Sequence, residues 1–227
     1  MKWQMLLFLF VLTGCMNQTS TLEGEALVME DATQAFVLNM GDILSEEEKE
    51  NGNYDKNDKV IEAARIIPGD QLEVSGEIKQ LEDLQSLHKV EVVVEGTYHQ
   101  ELVSIETYFN DRESLPSYKA ESIKVVPYTK EEVVRRITAD QGEHSLHVYN
   151  PDEEADEIGA YRDIFGDAPI RSTTIESSFT NGVLNRAEHF KIAEDRPTYI
   201  VTDDEGIVFH THELEALKTY FDNWGKR

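Results

Sequence analysis

The residue types able to do chemistry are few and unevenly placed. Cysteine occurs once, at Cys15, which excludes an internal disulfide, a Cys-rich zinc site and a Cys-x-x-Cys redox centre. Histidine supplies one close pair, His210 and His212, on either side of Thr211. Alternate side chains on an extended strand point the same way, so both imidazoles could meet one ion. A third ligand is not evident: His144, His147 and His189 are present but unplaced by the sequence. Two histidines without a third ligand rarely make a zinc site, so the pair reads as non-metal and no cofactor is expected. Residues 152–157 (DEEADE) put five carboxylates in six positions at a predicted helix start. Charge there complements the helix dipole by roughly 0.3–1 kcal/mol per favourable site, whereas a hard-cation site needs oxygens converging from elsewhere. Residues 45–58 (SEEEKENGNYDKND) miss the EF-hand spacing and read as a solvated loop. No nucleophile elbow, Ser-x-x-Lys, His-Glu-x-x-His, GxGxxG or P-loop sequence occurs. Nucleophilic catalysis therefore has no motif to start from, and no acid–base pair can be chosen among 45 carboxylates without geometry.

The balance of charge narrows the partners. With 21 Lys+Arg against 45 Asp+Glu, the formal net charge of the 227 residues is −24. Counterion release from a phosphate backbone needs Lys and Arg on the binding surface, so a nucleic-acid partner is not expected. An excess spread over both halves keeps a protein soluble and repels anionic headgroups. The apolar share of 40% is ordinary for a folded chain, and the length suggests one or two domains.

The N-terminus carries an address. Met1-Lys2 is a short basic start, residues 3–12 (WQMLLFLFVL) are apolar apart from Gln4, and Thr13-Gly14 set small residues directly before Cys15. The apolar stretch is about half of the ~20 residues that span a bilayer, which marks a secretory signal rather than a membrane span. Leu12-Thr13-Gly14-Cys15 resembles the lipobox of bacterial lipoproteins. That resemblance implies that residues 1–14 are removed and that Cys15, bearing a diacylglyceryl thioether, opens the mature chain. It implies an extracytoplasmic protein held to a membrane by lipid, with residues 15–24 as a polar tether.

The elements that must position the remaining candidates fall into two groups, giving an α+β chain. Residues 25–127 are predicted β-rich. Residues 26–29 and 35–38 form a hairpin over residues 31–34. Gln71 to Ile78 alternates with period two, with Gly76 at a bulge or close approach. Residues 90–94, 102–108 and 122–126 supply further strands. Five or six short strands around one core could close as an OB-like barrel or pack as a sandwich, and the pattern alone suits both. In residues 128–227, Thr129-Lys-Glu-Glu132 is a capping box opening a helix that Gln141-Gly142 ends. Then come a strand (144–149) stopped by Asn150-Pro151, a helix (152–165), a strand (170–177), a short helix (185–192), a hairpin (199–202 and 207–211) turning at Gly206, and a last helix bearing Leu214, Leu217 and Phe221.

This β-α-β-α-β-β-α order, with Pro197-Thr198 before the hairpin, resembles the thioredoxin-like fold. Residues 190–221 carry the likeness best. It implies a cis Arg196–Pro197 bond, at a cost of only about 0.5–1 kcal/mol against trans. The family's two cysteines would follow the first central strand, but this chain reads Asn150-Pro-Asp-Glu-Glu-Ala-Asp-Glu157 there. Thiolate exchange has no thiol, so redox and copper-delivery functions of that family are absent. What the resemblance leaves is its peptide-binding geometry, a groove bounded by Asn150, Pro151, Arg196, Pro197 and Thr198, where the backbone pairs with an extended partner. The expectation is a non-catalytic, membrane-anchored protein or peptide binder or assembly factor; the alternative is a solute- or metal-binding lipoprotein using His210 and His212.

Overall fold

A computed structural model describes residues 18–29, 31–44, 48, 52, 54–151, 161, 164–165, 168, 170–176 and 182–224. Cys15 with its flanks, and the acidic run at 152–157, lie outside the described residues. The protein is mixed α and β, with two sheets, and its contacts divide it into two compact units, the second comprising Leu87–Lys89 and the chain from Val126 onward.

The first unit contains β1 (Thr19–Leu27), β2 (Phe36–Asp42), β3 (Lys59–Gly76), β4 (Lys89–Glu95), β5 (Leu102–Ser104), α1 (Ile105–Asn110) and β6 (Ser117–Val126). The first two strands pair antiparallel with Ala26 opposite Leu38, as the two apolar runs predict. β1 begins at Thr19, so the polar segment read as a tether already runs in the sheet from that residue. Strand order is β2-β1-β4-β6-β3-β5, and a further β2–β3 pairing closes a ring of β1, β2, β3, β6 and β4. Within the ring, β3 and β6 pair in parallel. Alternation sorts the faces: Leu38, Ala64, Ile66, Val90, Val92, Val94, Ile123 and Val125 fill the interior, while Val37, Ile61 and Ala63 join Val103, Tyr108 and Leu115 in an outer cluster.

Residues 102–108 do not form the single strand expected. β5 stops at Ser104, whose Oγ accepts the Thr107 N–H at 3.0 Å and so caps α1. At the far end of β3, Gly76 has φ +91°, and a Cβ there would stand 2.0 Å from the Val125 carbonyl oxygen. It is a close approach that no side chain can share.

The second unit contains α2 (Lys130–Arg135), β7 (His144–Tyr149), β8 (Ile170–Glu176), α3 (Arg186–Phe190), β9 (Thr198–Thr202), β10 (Ile207–Thr211) and α4 (Leu214–Asp222). The capping box is formed: Thr129 Oγ1 accepts the Glu132 N–H at 3.3 Å and Glu132 Oε2 accepts the Thr129 N–H at 2.8 Å. The helix ends at Arg135, with Arg136 as its C-cap, rather than running to Gly142. Sheet order is β10-β9-β7-β8, with β7 parallel to β8 and antiparallel to β9. Ser145, Leu146, His147, Val148 and Tyr149 of β7 are all buried, because both faces of the sheet are covered. Tyr149 and Ile200 pack with Val133, Ile137 and Phe190 on one face. On the other, Leu146, Val148 and Val201 pack with Tyr161, Leu217 and Phe221. The β9–β10 turn is tied by Asp203 Oδ1, which accepts the N–H groups of Glu205 and Gly206 at 2.9 and 3.0 Å; Gly206 has φ +144°. No helix among the described residues is long and apolar enough to cross a membrane.

Candidate functional site

Strand direction gathers most of the candidate residues at one end of the second sheet. Tyr149, last in β7, lies opposite Glu176, last in the parallel β8, and opposite Thr198, first in the antiparallel β9. Thr211, last in β10, lies opposite Tyr199. Asn150, Pro197, Thr198 and His212 therefore share that end, where open α/β sheets place their ligands beyond the carboxyl ends of parallel strands.

Thr198 has no exposed surface. Its Oγ1 accepts the Ala193 N–H at 3.0 Å and lies 3.1 Å from His212 Nδ1. A hydroxyl beside an imidazole is the geometry of a nucleophile and its base, but complete burial keeps this hydroxyl from any substrate. Its work is to fix the loop before β9. Asn150, only 3% exposed, donates its N–H to the Glu176 carbonyl at 3.0 Å. Arg196 is exposed and reaches Asp195 at only 3.9 Å. Among the described residues, neither its N–H nor its carbonyl forms a backbone–backbone hydrogen bond. The Arg196–Pro197 bond is trans, since no cis peptide occurs among the described residues. This corrects the expected cis bond: a loop of six residues from Ile192 to Pro197, tied across by the Thr198 hydroxyl, reaches β9 without the reversal that a cis proline supplies.

His210 and His212 do come together, with ring centroids 5.1 Å apart and planes nearly perpendicular. Partial desolvation holds His210 below the ordinary histidine value, with His212, Lys130 and Lys191 adding to that effect and a hydrogen bond to the Phe190 backbone opposing it. His144 and His147 are engaged elsewhere. His144 meets the Trp224 ring edge-on at 4.3 Å, and His147 Nε2 lies 2.9 Å from the Ile137 carbonyl oxygen. Among the described residues no three His, Cys, Asp or Glu side chains are grouped to hold a metal ion.

No protein-family model, curated protein or solved structure matches this chain.

Beside Asn150 lies a set of residues that the sequence did not single out. Burial and the nearby Glu176 carboxylate push the Tyr149 hydroxyl up to about 12, and Arg186 Nη1 holds Glu176 Oε1 at 2.7 Å. Tyr149 therefore keeps its proton across the physiological range and is not a base. The one signal that could have found this set is the parallel register of β7 and β8. That register is set by pairing between strands distant in sequence and is invisible to local periodicity.

Proposed function

We propose that the protein is a lipid-anchored, extracytoplasmic, non-catalytic lipoprotein that binds an extended segment of a partner protein at the Asn150–Thr198 end of its second unit. One observation supports the binding reading: Arg196 is exposed, its backbone groups make no backbone–backbone hydrogen bond among the described residues, and its loop is tied by the buried Thr198 hydroxyl. A backbone segment with free hydrogen-bonding groups is what an added strand pairs with. The sheet order β8-β7-β9-β10 supports a thioredoxin-like arrangement for this unit. The ring β1-β2-β3-β6-β4 with its parallel β3–β6 pair supports an OB-like barrel for the first. The lone cysteine, placed behind small residues at position 15, supports anchorage, and its position leaves no thiol for redox work at Asn150-Pro151.

Two experiments test this reading. A phage-displayed library of extended peptides, selected on the full chain, is expected to yield sequences whose affinity falls at least tenfold on Arg196→Pro, which deletes the N–H donor. Selected peptides that bind the variant equally well, or a selection that enriches none, remove the groove. For anchorage, the wild-type chain is expected in the membrane fraction with incorporated fatty acid, and Cys15→Ala in the soluble fraction without it. Fatty acid on both forms, or on neither, removes the lipid.

A second reading, a cation held between His210 and His212, is favoured by their 5.1 Å ring separation. It lacks a third protein ligand among the described residues. A zinc-dependent rise in Tm that disappears in His210→Ala would establish it.

A further inference from the structure

The first unit holds a cavity of about 260 Å³ on the outside of its barrel, and the geometry points to a binding site for a small monoanionic carboxylate with an apolar tail. This inference is independent of the peptide groove. The volume lies below the roughly 300–1,000 Å³ of sites for drug-sized ligands, so the occupant is small. Arg65 and Arg112 line it, with Leu27, Met29 and Val37 supplying apolar wall. Their convergence follows from the fold. Ala64 and Ile66 point into the barrel, so Arg65 between them points out, in register with Val37 of β2. Arg112 is brought to the same place by the short 3-10 turn after α1, where its Nε donates to the Tyr108 carbonyl at 3.0 Å.

These two guanidinium groups have no carboxylate partner among the described residues. Acids outnumber bases about two to one in this chain, and half-buried cations elsewhere are satisfied. Lys89 holds Glu132, Lys119 holds Asp70 and Glu95, Arg186 holds Glu176, and Lys218 holds Glu215. Arg65 and Arg112 are equally half-buried, yet among the described residues neither forms an ion pair, and the Arg65 side chain has no hydrogen-bond partner. A planar fork left open over apolar surface is a carboxylate receptor. Met29, 58% exposed at the mouth, is a flexible apolar side chain able to close on a tail. The charge of the head group follows from the rim. Asp31 and Glu113 border the cavity, and the Asp31 carboxyl is held below its usual range by two hydrogen bonds from Thr33, so it stays ionised. A dianionic phosphate meets more repulsion there than a singly charged carboxylate.

Titrating hexanoate into the ¹⁵N-labelled full chain, followed by amide shifts, tests the site. Saturable shifts are expected at Val37, Arg65 and Arg112, at least tenfold weaker binding in Arg65→Met, and no saturable shift there with hexanol or inorganic phosphate. Arg65→Lys, which keeps the charge without the fork, guards against a misfolded Met variant and is expected to weaken binding while leaving the amide spectrum folded. Absence of saturable hexanoate shifts, equal response to hexanol or phosphate, or unchanged affinity in both variants overturns the proposal.

Discussion

His147 shows how burial turns a side chain into a determinant of stability. It is 9% exposed, on the α2-facing side of β7, with Nε2 against the Ile137 carbonyl that also accepts the Thr202 hydroxyl at 2.7 Å. Desolvation lowers its pKa from the ordinary value near 6.5, against a smaller opposing effect of that carbonyl. The unfolded chain therefore binds the proton more readily than the folded one. The resulting stability is complete above about pH 6.5 and is lost as pH falls through the folded value. His147→Gln, which keeps a donor for Ile137, is expected to flatten the pH dependence of urea unfolding between about pH 7 and 5 relative to wild type. An unchanged difference between those two pH values would show that His147 is not held neutral. Thr198 makes a complementary case. Thr198→Val leaves the Ala193 N–H without its acceptor, an expected loss of about 1–3 kcal/mol in urea unfolding, while Thr198→Ser retains the hydroxyl and most of that stability. Both residues could be named from the sequence, Thr198 as part of an X-Pro-Thr and His147 as a strand residue. Their partners could not, because Ala193, His212 and Ile137 reach them through tertiary pairing rather than through a local repeat.

At the level of elements, the parts written in local chemistry were the legible ones. The Thr129–Glu132 capping box, the turn at Asp203–Gly206 and the alternation after Gln71 each announce themselves within a few residues, and each is present. Residues 102–108 show where that method stops. Their β-branched and aromatic content suits a strand, but one Ser104 hydroxyl placed to cap Thr107 converts the second half into helix. Composition weighs propensity over a window, whereas a cap acts at one atom. The β3–β6 junction is the element most sensitive to change. Gly76 combines a positive φ with a Cβ position 2.0 Å from Val125 O, and the Glu77 N–H already uses that carbonyl at 3.2 Å. Gly76→Ala is expected to lower stability by at least about 1–3 kcal/mol through backbone strain alone, read as an earlier urea midpoint. Gly142→Ala, at a positive φ but with open space around the Cβ, is expected to cost less. Equal losses at the two sites would mean that strain, and not the contact with Val125, governs Gly76.

For the whole molecule the governing quantity is the excess of 24 negative charges. Like charges spread over both halves repel in the compact state more than in the expanded chain, so net charge of this size opposes folding. Surface ion pairs act the other way. Lys56–Glu106, Lys124–Glu91 and Lys218–Glu215 close at 3.0, 2.9 and 2.6 Å, but exposed pairs of this kind contribute only about 0–1 kcal/mol each. Salt weakens both effects by shortening the Debye length from about 10 Å at 0.1 M to about 3 Å at 1 M. Since most carboxylates have no cation to pair with, relief of repulsion outweighs loss of pairing. The Tm of the full chain at pH 7 is therefore expected to rise on going from about 0.02 to about 0.5 M NaCl. General exclusion of salt from protein surface would also raise Tm, but it does not depend on the charge of the protein. Screening does, so the increment should shrink as pH falls toward the carboxylate range and the net charge diminishes. A Tm that falls with salt at pH 7, or an increment of the same size at pH 5, would show that self-repulsion does not limit the stability of this chain.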